Sequence, residues 1–253
     1  RDDALSAQIF DRYLKDLDGQ RLYFLASDIQ RFQPQRVSFD NALKRGEVKG
    51  AFDIFNRYQQ RARERLQFVI AEIDKGVTKM DFTVTDDMEI NREKAAWATT
   101  PAALDELWRK RIKAAALSLR LAGKTDAEIQ KTLGKRYRSQ LNTMMRTKSD
   151  DAFQVFMNSF SETYDPHTEY FSPRTQENFN INMSLSLEGI GAVLQSEDEF
   201  TKIVRLVPAG PADKGKQLKP GDRIVSVAQA DKEFMDIVGW RIDEVVELIR
   251  GPK

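Results

Sequence analysis

Leu185-Ser-Leu-Glu-Gly-Ile-Gly-Ala-Val-Leu194 decides how the second half of this chain folds. Ile181, Met183, Leu185 and Leu187 alternate with polar residues, which predicts a strand from about Asn180. That strand meets Gly189-Ile190-Gly191, and a second apolar run, Ala192–Gln195, follows. Glycines at 189 and 191 let the backbone bend sharply and present its N–H groups outward. A row of such groups can hold a carboxylate, and the free C-terminus of a polypeptide is a carboxylate that proteins commonly read. The pattern suits a reader of protein tails, although a lone Gly-x-Gly would also serve a plain hairpin turn.

Outward from that stretch the β grammar continues. Lys202–Leu206 and Arg223–Val227 read as short strands, separated by the turn signals Pro208-Ala-Gly-Pro211 and Pro220-Gly221. Asp243–Arg250 reads as a last short helix, closed by Gly251-Pro252.

The first ~165 residues have helical period instead. Leu5, Ile9, Tyr13 and Leu17 recur on one face, and Phe52, Phe55, Tyr58, Leu66, Val69 and Ile73 on another. Periodicity fades between Asp74 and Thr99, which predicts a long surface connection. Thr100-Pro101 restarts a helix with the stripe Leu104, Trp108, Ile112, Ala115, Leu119, and Gly123 ends it. Thr125-Asp-Ala-Glu128 is a capping box ahead of Ile129, Leu133, Tyr137, Leu141 and Met144. Phe153, Phe156, Met157, Phe160 and Tyr164 mark one more helix, and these aromatic stripes read as core. The fold class is therefore α+β and multidomain: a helical domain over 1–178 and a small β-rich domain over 179–253.

Composition bounds the function. The 253 residues carry 40 Lys+Arg against 39 Asp+Glu, a net charge of +1 that argues against a dedicated nucleic-acid binder. The basic clusters Arg57–Arg65 and Lys135–Arg138 read as solvated helix faces rather than a phosphate site. No window approaches the ~18 apolar residues of a membrane span. With no cysteine there is neither a disulfide nor a thiolate metal site, which suits an oxidising compartment. No metal site or cofactor is expected. His167, the single histidine, reads as a structural hydrogen-bonding group after the Asp165-Pro166 turn, rather than as a base.

The second half resembles a PDZ domain of the bacterial type. The matching residues are Glu188-Gly-Ile-Gly-Ala192, Val207-Pro-Ala-Gly-Pro-Ala-Asp-Lys-Gly215, Leu218-Lys-Pro-Gly-Asp-Arg-Ile-Val-Ser-Val227 and Val245-Val-Glu-Leu-Ile-Arg-Gly-Pro-Lys253. Asp165-Pro-His-Thr-Glu-Tyr-Phe-Ser-Pro173 is similar to the junction that precedes the PDZ domain in C-terminal processing proteases, and Gly239-Trp240-Arg241 adds to the match. The helical region is similar to that of the long periplasmic members, the tail-specific proteases with a Ser/Lys dyad. The resemblance implies a protease domain whose Ser nucleophile and neutral, buried Lys lie outside this chain. The PDZ domain is expected to be incomplete at Lys253, short of its final strands, and the chain to be a piece that cleaves nothing alone. No catalytic residue is assigned.

The resemblance also implies a peptide groove. A substrate tail would add to the sheet along Ala192, Val193 and Leu194, with its carboxylate on the N–H groups of Gly189, Ile190 and Gly191. Its last side chain would enter an apolar pocket of Leu187, Ile190, Ile242, Val246 and Ile249. Val246 and Ile249 share a helix face and serve equally well as plain core. The implied parent is a periplasmic serine endopeptidase that binds apolar tails, with association with the inner membrane left open. A helical-repeat lipoprotein adaptor is the implied partner. Two alternatives stand beside this reading. One is a non-catalytic PDZ-type scaffold; the other, an RNA-associated helical protein, is disfavoured by the charge balance.

Overall fold

The computed structural model describes residues 2–184, 189–229 and 232–250. The chain forms two compact units, Arg1–Ser172 and Pro173–Lys253.

The first unit is helical: α1 (Asp3–Asp18), α2 (Ala26–Phe32), α3 (Phe39–Lys44), α4 (Lys49–Asp74), α5 (Pro101–Leu121), α6 (Asp126–Met145) and α7 (Ser149–Ser161). The 26-residue α4 is its spine, because its apolar stripe is long enough to serve two cores in turn. Its first half packs Ile54 and Phe55 against Ile9, Phe10 and Tyr13 of α1 and Phe156 of α7. Its second half packs Leu66, Val69 and Ile73 against Trp108 and Ile112 of α5 and Ile129 and Leu133 of α6. Trp108 is almost fully buried and donates its indole N–H to the Leu22 carbonyl at 2.8 Å, so its one polar group is satisfied. The expected capping box forms, with Thr125 Oγ1 accepting from Glu128 N–H at 3.2 Å and Glu128 accepting from Thr125 N–H at 2.8 Å. The segment between α4 and α5 holds one short 3₁₀ turn, Val77–Lys79, and otherwise runs as irregular, mostly exposed chain.

Two buried aspartates organise the α1–α4 region. Asp18 accepts from the N–H groups of Leu22, Tyr23 and Phe24 at 2.7, 3.0 and 2.9 Å and so holds the chain where it leaves α1. Burial raises its pKa, and the three N–H donors oppose that rise. Asp28 receives Arg57 Nε at 2.6 Å and Arg61 Nε at 2.8 Å. Arg65 is itself buried and pairs with Asp105. The arginines read as a solvated face thus turn inward, because α2 and α5 present carboxylates along that side of α4. Tyr164, expected on the buried face of α7, lies past its end and is 68% exposed.

The second unit contains α8 (Pro173–Ser184), β1 (Ala192–Glu197), β2 (Phe200–Leu206), α9 (Pro211–Gly215), β3 (Arg223–Ile224), β4 (Ser226–Val227), β5 (Met235–Asp236) and α10 (Ile242–Arg250). The strand expected from Asn180 is corrected: Ile181 and Met183 lie in α8, while Leu185 and Leu187 fall outside the described residues. Pro173 suits a first helical position, and Gln176 Nε2 donates to Asn180 Oδ1 at 2.8 Å one turn on. Two alternating apolar residues are too few to impose a strand on that start. β1, β2 and β3 form an antiparallel sheet in that order, and β4 pairs with β5. The expected strand Arg223–Val227 is split at Val225, whose carbonyl accepts from Ile237 N–H at 3.0 Å. Asp222 holds its turn by accepting from Lys219 N–H at 2.8 Å. Ile203, Ala212, Ile237 and Val245 supply the buried centre.

Candidate functional site

Gly189 and Gly191 carry φ of +128° and +72°, conformations that a side chain disfavours. At Gly191 space is also short: a Cβ would stand 3.2 Å from Gly210 Cα and 3.3 Å from Pro211 Cδ. The loop therefore lies directly against the turn between β2 and α9. Two hydrogen bonds strap it there. Ala212 N–H donates to the Ile190 carbonyl and Val207 N–H to the Gly191 carbonyl, both at 2.8 Å.

The strap fixes the opposite side of the loop as well. In a trans peptide the C=O and the following N–H point in opposite directions. Tying the Ile190 carbonyl to Ala212 thus turns the Gly191 N–H away from that turn. Among the described residues, the N–H groups of Gly189, Ile190 and Gly191 donate to no protein acceptor. These three N–H groups are donors of the loop that the described residues leave unused.

β1 continues from this loop and, among the described residues, is an edge strand, since only β2 pairs with it there. Its outer backbone groups are open to another strand. α10 packs against β1. On α10, Val245 is fully buried while Ile242, Val246 and Ile249 are half-buried, so the apolar face is wider than the core needs. Ala192, Val193 and Leu194 are half-buried in β1, and Ile190 is half-buried in the loop. The fold thus brings the loop, the free edge and the apolar helix face into one unit. Of the ten residues expected to form the groove, Leu187 lies outside the described residues.

Sequence reasoning missed two features here. A Cβ on Gly189 would meet Arg250 Cγ at 3.7 Å, so the stem of Arg250 lies beside the loop. A cation in the last turn of a helix reads from sequence as a partner of the helix dipole, which hid this placement. The second is Arg174, whose guanidinium reaches Asp243 and Glu247 of α10 at 3.3 Å each and ties α8 to that helix.

Other candidates are weaker. His167 is exposed, and its backbone N–H donates to Asp165 Oδ1 at 2.9 Å in the expected turn. A cavity of about 350 Å³ in the helical unit is lined by Ile112, Met80 and several charged residues, most of which pair among themselves. Glu72 meets Lys75 and Arg109, and Asp86 meets Lys113. Among the described residues no group of three or more acids or histidines is placed to hold a metal ion. No helix among them is long and apolar enough to cross a membrane.

Comparison with known proteins adds the following. Residues 1–174 match the family model of the tail specific protease N-terminal domain, and residues 178–253 match the PDZ domain model. A tail-specific protease of Haemophilus influenzae is 43% identical over 253 residues, which is 100% of this chain and 36% of that protein. The carboxy-terminal processing protease CtpA of Bacillus subtilis is 34% identical over 89 residues, or 35% of this chain and 18% of that protein. A crystal structure of the PDZ domain of a carboxy-terminal protease from Vibrio cholerae, in complex with peptide, is 58% identical. It covers 26% of this chain and 68% of that one, with a TM-score of 0.26. The chain spans about a third of the length of the Haemophilus relative, at 36%.

Proposed function

Because this chain belongs to the tail-specific protease family, by the match of residues 1–174 to that family's N-terminal domain, we propose that it is the substrate-recognition portion of a serine endopeptidase that selects proteins by their C-terminal tails. In this reading residues 1–178 are the helical domain and 179–253 the PDZ domain, and cleavage is carried out by a Ser/Lys dyad elsewhere in the parent. The parent works in the periplasm, and a helical-repeat lipoprotein adaptor docks on the helical domain.

One observation carries the proposal: the strapped loop leaves three N–H donors at the head of a strand whose outer edge has no partner among the described residues. A tail entering antiparallel to β1 would gain ladder hydrogen bonds along Ala192–Leu194, which any sequence supplies. Its terminal carboxylate would accept from Gly189, Ile190 and Gly191, with Arg250 adding positive charge beside the loop. Its last side chain would lie against Ile190, Ile242, Val246 and Ile249. An apolar residue gains there by leaving water, whereas a charged one would lose its hydration without a partner.

The test uses the full-length protein and a folded reporter with an apolar tail, ending either in a free carboxylate or in an amide. Initial cleavage rates are compared, with Gly189→Val as the loop variant. Preference for the free acid that the variant abolishes supports the reading. Equal cleavage of acid and amide would overturn the carboxylate loop.

A further inference from the structure

A tail lying in the proposed groove would expose some of its side chains to the outer face of the sheet. Side chains alternate along an extended tail. With the last side chain turned inward against α10, the penultimate one points to the outer face, level with the start of β1. The inference developed here rests on that proposed reading of the groove.

The outer face at that level is shaped by an irregularity in the ladder. Leu194 pairs with Ile203 and Val193 with Arg205, so β2 carries one extra residue between them. Strict alternation from buried Thr201 and Ile203 would send residue 205 inward. The inserted residue resets the phase, and Val204 and Arg205 are both exposed. The bulge thus places a guanidinium on the outer face, directly across from Val193.

Lys202 and Arg223 of this sheet are already committed. Glu197 receives Lys202 Nζ at 2.7 Å and Arg223 Nη2 at 2.7 Å. Arg205 has no acidic partner among the described residues. A tail strand on β1 would stand two strand spacings from β2, roughly 10 Å. Only Val193, a short side chain, separates Arg205 from the tail's penultimate residue on that face. A long arginine can cross a valine with its stem on the apolar surface and its head group at the tail.

We propose that Arg205 makes this site favour tails with an acidic penultimate residue. The pair would be solvent-exposed, so the effect is modest: about a threefold preference for Glu over Gln at low salt. It would shrink as ionic strength rises.

Fluorescence anisotropy on the full-length protein tests this with labelled six-residue peptides. They share an apolar C-terminal residue and a free carboxylate and differ only in Glu, Gln or Lys at the penultimate position. The expected order of affinity is Glu, then Gln, then Lys, compressed by added salt. Arg205→Glu should reverse the order, and Arg205→Lys should retain it. An order unchanged by Arg205→Glu, with the peptides still bound, would overturn the role of Arg205 and leave the tail groove standing. If the Gln peptide bound equally as acid and as amide, the groove reading would fail and this inference with it.

Discussion

Replacing Gly191 by alanine should loosen the loop that presents the three N–H donors. Two costs add. A non-glycine residue at φ +72° carries about 1–2 kcal/mol of backbone strain. The new Cβ would also stand 3.2 Å from Gly210 Cα and 3.3 Å from Pro211 Cδ, a backbone atom and a ring atom that move only with the turn itself. Overpacking of this kind costs about 1–3 kcal/mol. Even the lower sum, about 2 kcal/mol, is roughly a 30-fold change in an opening equilibrium. Amide hydrogen exchange reads the result directly, because Val207 and Ala212 donate to the loop carbonyls. Their protection should fall by at least that factor. Gly221→Ala is the control: its φ is +94°, but no atom lies within 4 Å of the added Cβ, so only strain is incurred. Equal loss of protection at Val207 and Ala212 in both variants, or none in Gly191→Ala, would refute the close-approach argument.

Two further predictions concern the helical unit. Trp108→Phe leaves the Leu22 carbonyl without its donor in a buried setting and should cost about 1–3 kcal/mol, seen as a lowered midpoint in urea unfolding. Asp28 is nine-tenths or more buried, and desolvation alone would raise its pKa; hydrogen bonds from Arg61, Leu25 N–H and Arg57 outweigh this and hold it below the usual carboxylate range. With the folded pKa below the unfolded one, its contribution is present above the unfolded value, 3.8, and is lost as pH falls through the folded value. Asp28→Asn should therefore flatten the acid limb of a stability–pH curve, and at neutral pH should cost about 3 kcal/mol by leaving Arg57 without a carboxylate and Arg61 with Glu64 alone. An acid limb as steep in Asp28→Asn as in the parent would sink that assignment.

Much of the architecture could be read from period alone. The stripes of α1, α4, α5 and α6 are long, and each repeats its apolar face over several turns. β1, β2 and α10 were visible because glycine and proline turns bracket them. α8 was misread because Ile181 and Met183 fit both a two-residue and a helical period over so short a stretch. The inward arginines of α4 were hidden for a different reason. Asp28 and Asp105 are ordinary acids in sequence, and only the packing of α2 and α5 brings them to Arg57, Arg61 and Arg65. At the candidate site, the glycines announced the sharp loop. The strap from Val207 and Ala212, the neighbouring Arg250 and the bulge are relations between distant segments, which no local pattern encodes.

The bulge between Val193 and Leu194 also bears on how the protein keeps company with itself. An open strand edge is a template for any extended backbone, and repeated edge-to-edge addition is how fibrils grow. Two copies meeting along β1 would each bring a sheet whose local twist is raised by the extra residue in β2. The regular 4.8 Å stacking that a fibril needs would falter at that step. On the proposed reading of the groove, the edge would accept one short guest while resisting an endless queue of its own kind.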